Sequence, residues 1–197
     1  MLTIRRGLPE DAQDFVKLFL LSSPYFPVVF GGRIVNVLER LFQRKKNLFS
    51  YEHTFFADFN GEKAGMLLGY DWKAKRRENI QTGLMISRFS GCDFFAKVNT
   101  YLKFNRAVGR LEAEEYYISN IATYENFRGK GVGKALMGSA EEEAQKCGCR
   151  KVVLDVEEEN LYAIAFYKKL GFNEQERFLI NLSKGLEFHF FRMVKLL

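Results

Sequence analysis

The order of helix-like and strand-like segments predicts an α/β (α+β mixed sheet) protein. The expected sheet is mixed, predominantly antiparallel and twisted, with a central parallel β-α-β unit and flanking helices. Three observations carry this expectation. Apolar residues at helical spacing alternate with short runs rich in β-branched and aromatic residues. Asn60-Gly61 separates two of those runs and signals a tight hairpin, because both residues accept positive φ. After Glu115 the pattern runs strand, helix, strand, helix, and a strand–helix–strand unit of this kind closes as a right-handed parallel crossover.

Each element has a local reason. Leu2–Arg6 reads as a short strand. Pro9-Glu10-Asp11 then opens a helix, since proline fits the first helical position and acids suit the positive N-terminal end. Ala12, Phe15, Leu18 and Phe19 share one face of it, and Ser22-Ser23-Pro24 stops it. A second helix is expected from about Gly32 to Arg44, with Ile34, Leu38, Leu41 and Phe42 inward. Thr54–Phe59 and Lys63–Tyr70 form the hairpin. The segment from Ile80 to Glu112 reads as one or two helices, interrupted at Gly91. Then come strand Glu115–Thr123, helix Gly131–Cys147 ended by Gly148, strand Lys151–Val156, helix Leu161–Leu170 ended by Gly171, and strands Asn173–Leu182 and Leu186–Val194 turned by Ser183-Lys184-Gly185. With 197 residues and no linker or repeat, the expectation is one domain over 1–197, with 71–112 a helical insertion on the substrate side.

Composition narrows the function classes. Hydrophobic residues make up 47% and charged residues 27%, enough apolar side chain for a core that needs no disulfide or metal. The 20 phenylalanines either fill that core or line a substrate tunnel. The net charge of +6 suits an anionic partner. The basic residues are dispersed, however, apart from Arg44-Lys45-Lys46 and the run Lys73 to Arg77, so no nucleic-acid partner is expected. Cys147-Gly148-Cys149 lacks zinc-knuckle spacing, and neither His53 nor His189 lies near a cysteine in sequence, so no metal is expected. The N-terminus has no signal-peptide apolar stretch and no window reaches the roughly 18 apolar residues of a membrane span. The expected setting is therefore a reducing cytoplasm, with no membrane partner.

The residues that carry chemistry cluster between Tyr116 and Tyr167. Arg128-Gly129-Lys130-Gly131-Val132-Gly133 sits between a strand and a helix. Its glycines allow a sharp bend and close approach of the main chain to a ligand. The helix beginning near Gly131 presents unpaired N–H groups and a positive dipole end, which together suit a phosphate, with Arg128, Lys130 and Lys134 adding charge. A glycine-rich turn without a ligand is the alternative at this level. A Walker loop is excluded, because three residues separate Gly129 from Gly133 and Ala135 follows Lys134 where a hydroxyl is required. A dinucleotide fingerprint is excluded because Lys134 occupies its third glycine position.

Arg128-x-x-Gly131-x-Gly133 resembles the pyrophosphate loop of the GNAT superfamily of acyl-CoA N-acetyltransferases. Asn120-Ile121-Ala122-Thr123 is similar to the strand that holds the pantetheine arm in that family. Leu154-Asp155-Val156, Asn160, Ala163 and the run Phe166 to Phe172 are similar to its next strand and helix, and Ile4-Arg5 with Pro9 to Ala12 resembles its opening. The resemblance covers residues 115–173 well, 1–70 more thinly and 71–112 not at all. It implies acetyl-CoA (coenzyme A) as cofactor and transfer of an acetyl group to a primary amine. The main-chain N–H groups of Arg128, Gly129, Gly131, Val132 and Gly133 would take the pyrophosphate, and Asn160 the pantetheine amides. Ile121 or Ala122, with Thr123, would bind the pantetheine arm and donate to the thioester carbonyl. Tyr167 would protonate the departing thiolate, its phenol being protonated near neutrality. Asp155 is a candidate base, with Glu115, Tyr117 and Asn120 as competitors. Each of these residues also has a plain structural role open to it: buried strand, helix cap or core ring.

The acceptor is left open. Glu112, Glu114 and Glu115 would attract a cationic amine, whereas Lys73 to Arg77 would repel one or grip an acidic substrate. An amine-bearing small molecule and a protein N-terminus or lysine both remain, as do a monomer and a homodimer. A non-catalytic acyl-CoA-binding module on the same fold is the alternative function.

Overall fold

The computed structural model describes residues 1–182 and 186–197, with the backbone alone at 92–96. The turn expected at Ser183-Lys184-Gly185 lies outside the described residues. Strands β1 (Leu2–Arg6), β2 (Thr54–Phe59), β3 (Glu62–Asp71), β4 (Glu115–Thr123), β5 (Lys151–Glu157), β6 (Asn173–Asn181) and β7 (Glu187–Leu196) form one seven-stranded sheet in the order β1-β2-β3-β4-β5-β7-β6. Only β4 and β5 are parallel, and every other pair is antiparallel. The mixed sheet with one parallel unit is the architecture the sequence predicts.

Helices α6 (Val132–Lys146) and α7 (Leu161–Lys169) cover one face of this sheet. There Leu136, Met137 and Ala140 pack with Tyr116, Ile118, Val152 and Leu154. On the opposite face α1 (Ala12–Ser22) and α3 (Ile34–Phe42) bury Phe15, Leu18, Leu38 and Phe42 against Phe56, Met66 and Leu68. A fully buried large apolar side chain contributes about 1.5–3 kcal/mol, so these two layers carry much of the stability.

Two helical regions differ from expectation. Within the insertion the first helix starts at Trp72, not near Ile80: α4 is Trp72–Ser90 and α5 is Cys92–Ala107. The cause is Asp71, which ends β3 and accepts a 2.6 Å bond from the Ala74 N–H, so the strand passes directly into a capped helix. Gly91, at φ 60°, makes the break between α4 and α5. A short helix α2 (Phe26–Phe30), absent from the predicted order, carries Pro27 in its first turn. The aromatic density of Tyr25, Phe26 and Phe30 hides the helical period there. The helix is held by tertiary contacts, with Phe26 and Phe30 packed on Phe104 of α5.

Candidate active site

The central parallel pair is forked. β4 and β5 pair only from Glu115–Lys151 to Ile118–Leu154, whereas β4 continues to Thr123 and β5 to Glu157. On its other edge β4 stays bonded to β3 as far as Thr123. A bulge begins the divergence: Gly69 faces Ile118 and Leu68 faces Asn120, leaving Ser119 as the extra residue that bends the strand. The main chain of residues 119–123 therefore presents one edge to open space in place of a neighbouring strand.

That space leads to the start of α6. Gly131 caps the helix in the left-handed region at φ 81°, and Gly129 has φ 75°. Neither would strike protein atoms with an added Cβ, so their conformation, not crowding, demands glycine, and the region above them is free. The amide of Arg128 donates to Glu125 O at 3.1 Å and that of Lys130 to Phe127 O at 3.4 Å. The amides of Gly129, Gly131, Val132, Gly133 and Lys134 have no protein acceptor among the described residues. These are the orphan donors of a helix N-terminus, gathered at its positive end.

Fork and loop enclose a cleft of about 570 Å³, within the range of small-molecule sites. Its walls include Ile121, Ala122, Thr123, Arg128, Gly129, Gly131, Val132, Gly133, Lys134, Asp155, Asn160 and Tyr167, thus bringing together nearly every residue singled out from sequence. Two expectations need correction. The Lys130 side chain lies over the Phe59 and Phe127 rings, at 5.4 and 5.3 Å, and is not part of the wall. The Arg128 amide is consumed by its turn, so only the side chain of that residue faces the cleft unencumbered.

Asn160 caps α7, its Oδ1 accepting from the Ala163 N–H at 3.1 Å. Tyr167 is buried between Phe166 and Phe172, at ring distances of 5.5 and 5.9 Å, and burial alone raises its phenol pKa, keeping it protonated. Asp155 is fully engaged. Oδ2 accepts from the Gly109 N–H at 2.8 Å and the Tyr117 hydroxyl at 3.2 Å, and Oδ1 from Arg192 at 3.2 Å. Burial raises its pKa and these partners oppose the rise. The competitors are similarly occupied: Glu115 accepts from the Glu112 N–H at 2.9 Å and from Arg192, and Asn120 donates to Ser22 and Ser23.

Glu157 was missed. It lies two positions beyond Asp155 on β5, at the end of the fork, and lines the cleft. Burial, then the nearby Glu159, raise its pKa, and its carboxylate has no hydrogen bond or ion pair among the described residues. The strand alternation that places Asp155 on a face places Glu157 on the same face, and that was the available signal.

A second cavity of about 130 Å³ opens beside the cleft, between helices α1 to α5 and the β3–β4 face. The two share Ser23, Tyr25, Val108, Tyr117, Ser119 and Asn120, so they are adjacent. Of the charged residues expected to select the acceptor, Lys75 lines this chamber, whereas Glu112, Glu114 and Glu115 do not.

A mixed sheet whose one parallel pair splays onto a glycine-bent helix N-terminus defines an α/β protein with a cleft that exposes free main-chain amides. Residues 16–172 match the Acetyltransferase (GNAT) family, and the chain belongs to it. It is 36% identical over 118 residues to an uncharacterized N-acetyltransferase of Methanocaldococcus jannaschii, covering 54% of this chain and 50% of that protein. The chain thus spans about half the length of that curated relative. Among solved structures, an N-acetyltransferase from Staphylococcus aureus Mu50 has a TM-score of 0.66 at 20% identity, covering 98% of this chain and 100% of that one. A Bacillus subtilis acetyltransferase in complex with CoA has a TM-score of 0.60 at 19% identity, covering 100% and 99%. At those identities the structural likeness speaks for the fold. Among the described residues no helix is long and apolar enough to cross a membrane.

Proposed function

We propose that this chain transfers an acetyl group from acetyl-CoA to a primary amine, by direct attack of the amine across the wall shared by cleft and chamber. The observation that carries the reading is the fork between β4 and β5 running into the free amides of the α6 N-terminus. The residues fit the cofactor: the amides of Gly129, Gly131, Val132, Gly133 and Lys134, with the Arg128 and Lys134 side chains, suit a pyrophosphate. The unpaired edge of Ile121, Ala122 and Thr123 suits an extended arm bearing amides, bound as an added strand would be. Acetyl-CoA, when bound, supplies the activated acyl carbon.

The chain's own groups supply the rest. An Ile121 or Ala122 N–H donates to the acyl oxygen as charge builds there. Tyr167 holds a proton at its hydroxyl for the departing sulfur, because burial disfavours the phenolate. Glu157, whose carboxylate has no partner among the described residues and whose pKa is raised by burial, accepts the amine's proton directly or through water. Asp155 positions: it ties β5, the Gly109 turn, Tyr117 and Arg192 together under the shared wall.

Calorimetric titration with acetyl-CoA tests the reading. We expect micromolar binding by the protein and loss of at least 100-fold in Gly131→Val, whose side chain forbids the left-handed conformation and fills the space above it. Failure of the folded protein to bind, or equal binding by the folded variant, would overturn it.

A further inference from the structure

The chamber beside the cleft has two properties that bear on what occupies it. Its wall is rich in aromatic rings, with Phe26, Phe30, Tyr70, Tyr101 and Phe104 around the cavity. At about 130 Å³ it approaches the roughly 150 Å³ apolar cavity that accepts one benzene molecule. Its charge is one-sided as well. Lys75 and Lys97 line it, and no Asp or Glu does among the described residues.

Lys75 is the telling group. Its ammonium has one weak side-chain bond, to Asn105 Oδ1 at 3.4 Å, and otherwise faces the Tyr70 ring at 5.9 Å. An ammonium held against an apolar wall is costly unless an anion accompanies it. Burial accordingly lowers its pKa to about 8, with the field of Asp155 opposing the shift. Asp155 does not fill the vacancy, because Arg192 and the Gly109 amide already hold it. Lys97 adds a second positive centre on α5, donating to the main-chain oxygen of Val29 at 3.2 Å. A ligand with only an amine would bring positive charge into this wall uncompensated. A ligand that also carries a negative group would satisfy Lys75.

We propose that the chamber takes an amine whose apolar, ring-sized body also bears an anionic group, a carboxylate or a phosphate, held by Lys75 with support from Lys97. This names the acceptor class for the acetyl transfer above and rests on that reading for the identification of the amine as acceptor. The binding site itself is testable without it. The probes are 3-phenylpropionate, phenyl phosphate, 2-phenylethanol and 2-phenylethylamine, titrated calorimetrically into the full chain without cofactor. We expect at least one acid to bind tenfold or more tighter than the neutral alcohol and the bare amine. The tighter acid of the two assigns carboxylate or phosphate. Lys75→Met should erase the preference, Lys75→Arg should restore most of it, and neither should alter acetyl-CoA affinity, since Lys75 is not in the cofactor cleft. Equal binding of acid and alcohol, binding by none of the four, or an acid preference that survives in Lys75→Met would each overturn the proposal. Acid binding by a protein that ignores acetyl-CoA would leave the anion site standing and sink the transferase reading instead.

Discussion

The cleft between β4, β5 and α6 and the chamber beside it share lining residues but are made of different material. The cleft owes its distinctive polar groups to the main chain: the unpaired edge of β4 beyond Ile118, and the free amides of Gly129, Gly131, Val132, Gly133 and Lys134. The chamber owes its character to side chains, with rings and two lysines contributed by α2, α4, α5 and β3. A main-chain site tolerates most side chains but demands particular conformations, so it leaves glycines at fixed spacing. A side-chain site demands particular residues from elements far apart in sequence, so it leaves no local signature. If this contrast is right, substitutions in the cleft that keep the backbone should spare cofactor affinity, and those in the chamber should alter ligand preference.

The largest effect expected under that contrast is in rate. Tyr167→Phe keeps the ring packed against Phe166 and Phe172 and leaves the fork intact. Turnover should fall about 100-fold, within the usual range for losing a general acid. Acetyl-CoA affinity should change less than twofold in the same preparations. Steady-state kinetics beside calorimetry reads both, and unchanged turnover would reduce Tyr167 to a packing residue.

Two acids on one strand line the cleft in different surroundings. Asp155→Asn removes the charge that faces Arg192, leaving that nearly buried guanidinium with Glu115 and the Arg110 carbonyl. Losing one charge-assisted hydrogen bond there costs about 1.5 kcal/mol of stability. Glu157→Gln touches no hydrogen bond or ion pair among the described residues, so its melting temperature should hold while kcat falls roughly tenfold or more. Because Glu157 must be ionised to accept a proton, kcat in the parent protein should rise with pH through the raised Glu157 pKa, and that limb should vanish in Glu157→Gln. A destabilised Glu157→Gln with a normal pH profile would reverse the assignments and return the base to Asp155.

The same contrast explains what was legible. Asn60-Gly61, Asp11 after Pro9, and the spacing Arg128-Gly129-Gly131-Gly133 are local signals with local causes, and the elements they mark stand where the sequence places them. The Lys130 side chain was misassigned because its attraction to the Phe59 and Phe127 rings depends on β2, remote in sequence. The start of α4 was missed because Asp71 serves as both strand end and helix cap, leaving no loop to mark the boundary. Short helix α2 was not legible, and the chamber only as an open choice between Phe-rich core and substrate tunnel, since both exist through contacts between Tyr25, Phe26, Phe30 and Phe104, which no periodicity connects. Lys75 was visible only as one member of a basic run whose other residues face elsewhere.

The smallest effect concerns α1, which walls both regions: Ser22 lines the cleft and Phe19 the chamber. Its N-terminal end is fixed by Asp11, whose carboxylate accepts two bonds from Arg5, at 2.7 and 2.9 Å, and pairs with Lys63 at 3.0 Å. Burial pushes the Asp11 carboxyl up, but the bonds from Arg5 and Lys63 outweigh it and bring the pKa to about 2. A carboxyl with a lower pKa folded than unfolded stabilises the fold above its unfolded value, near 4, and loses that contribution as pH falls through about 2. Arg5 and Lys63 are each about a third exposed, at 32% and 30%, so solvent screening holds the contribution to about 1 kcal/mol. Asp11→Asn should therefore be less stable than the parent at pH 7 by that amount, and should lose less on going from pH 5 to pH 2. Thermal unfolding across that range measures the difference. Cofactor and chamber ligands should weaken together in the variant, because one helix serves both. Weakening of the chamber ligand alone would mean that α1 supports only the side-chain-built half, and the shared wall would then belong to the sheet.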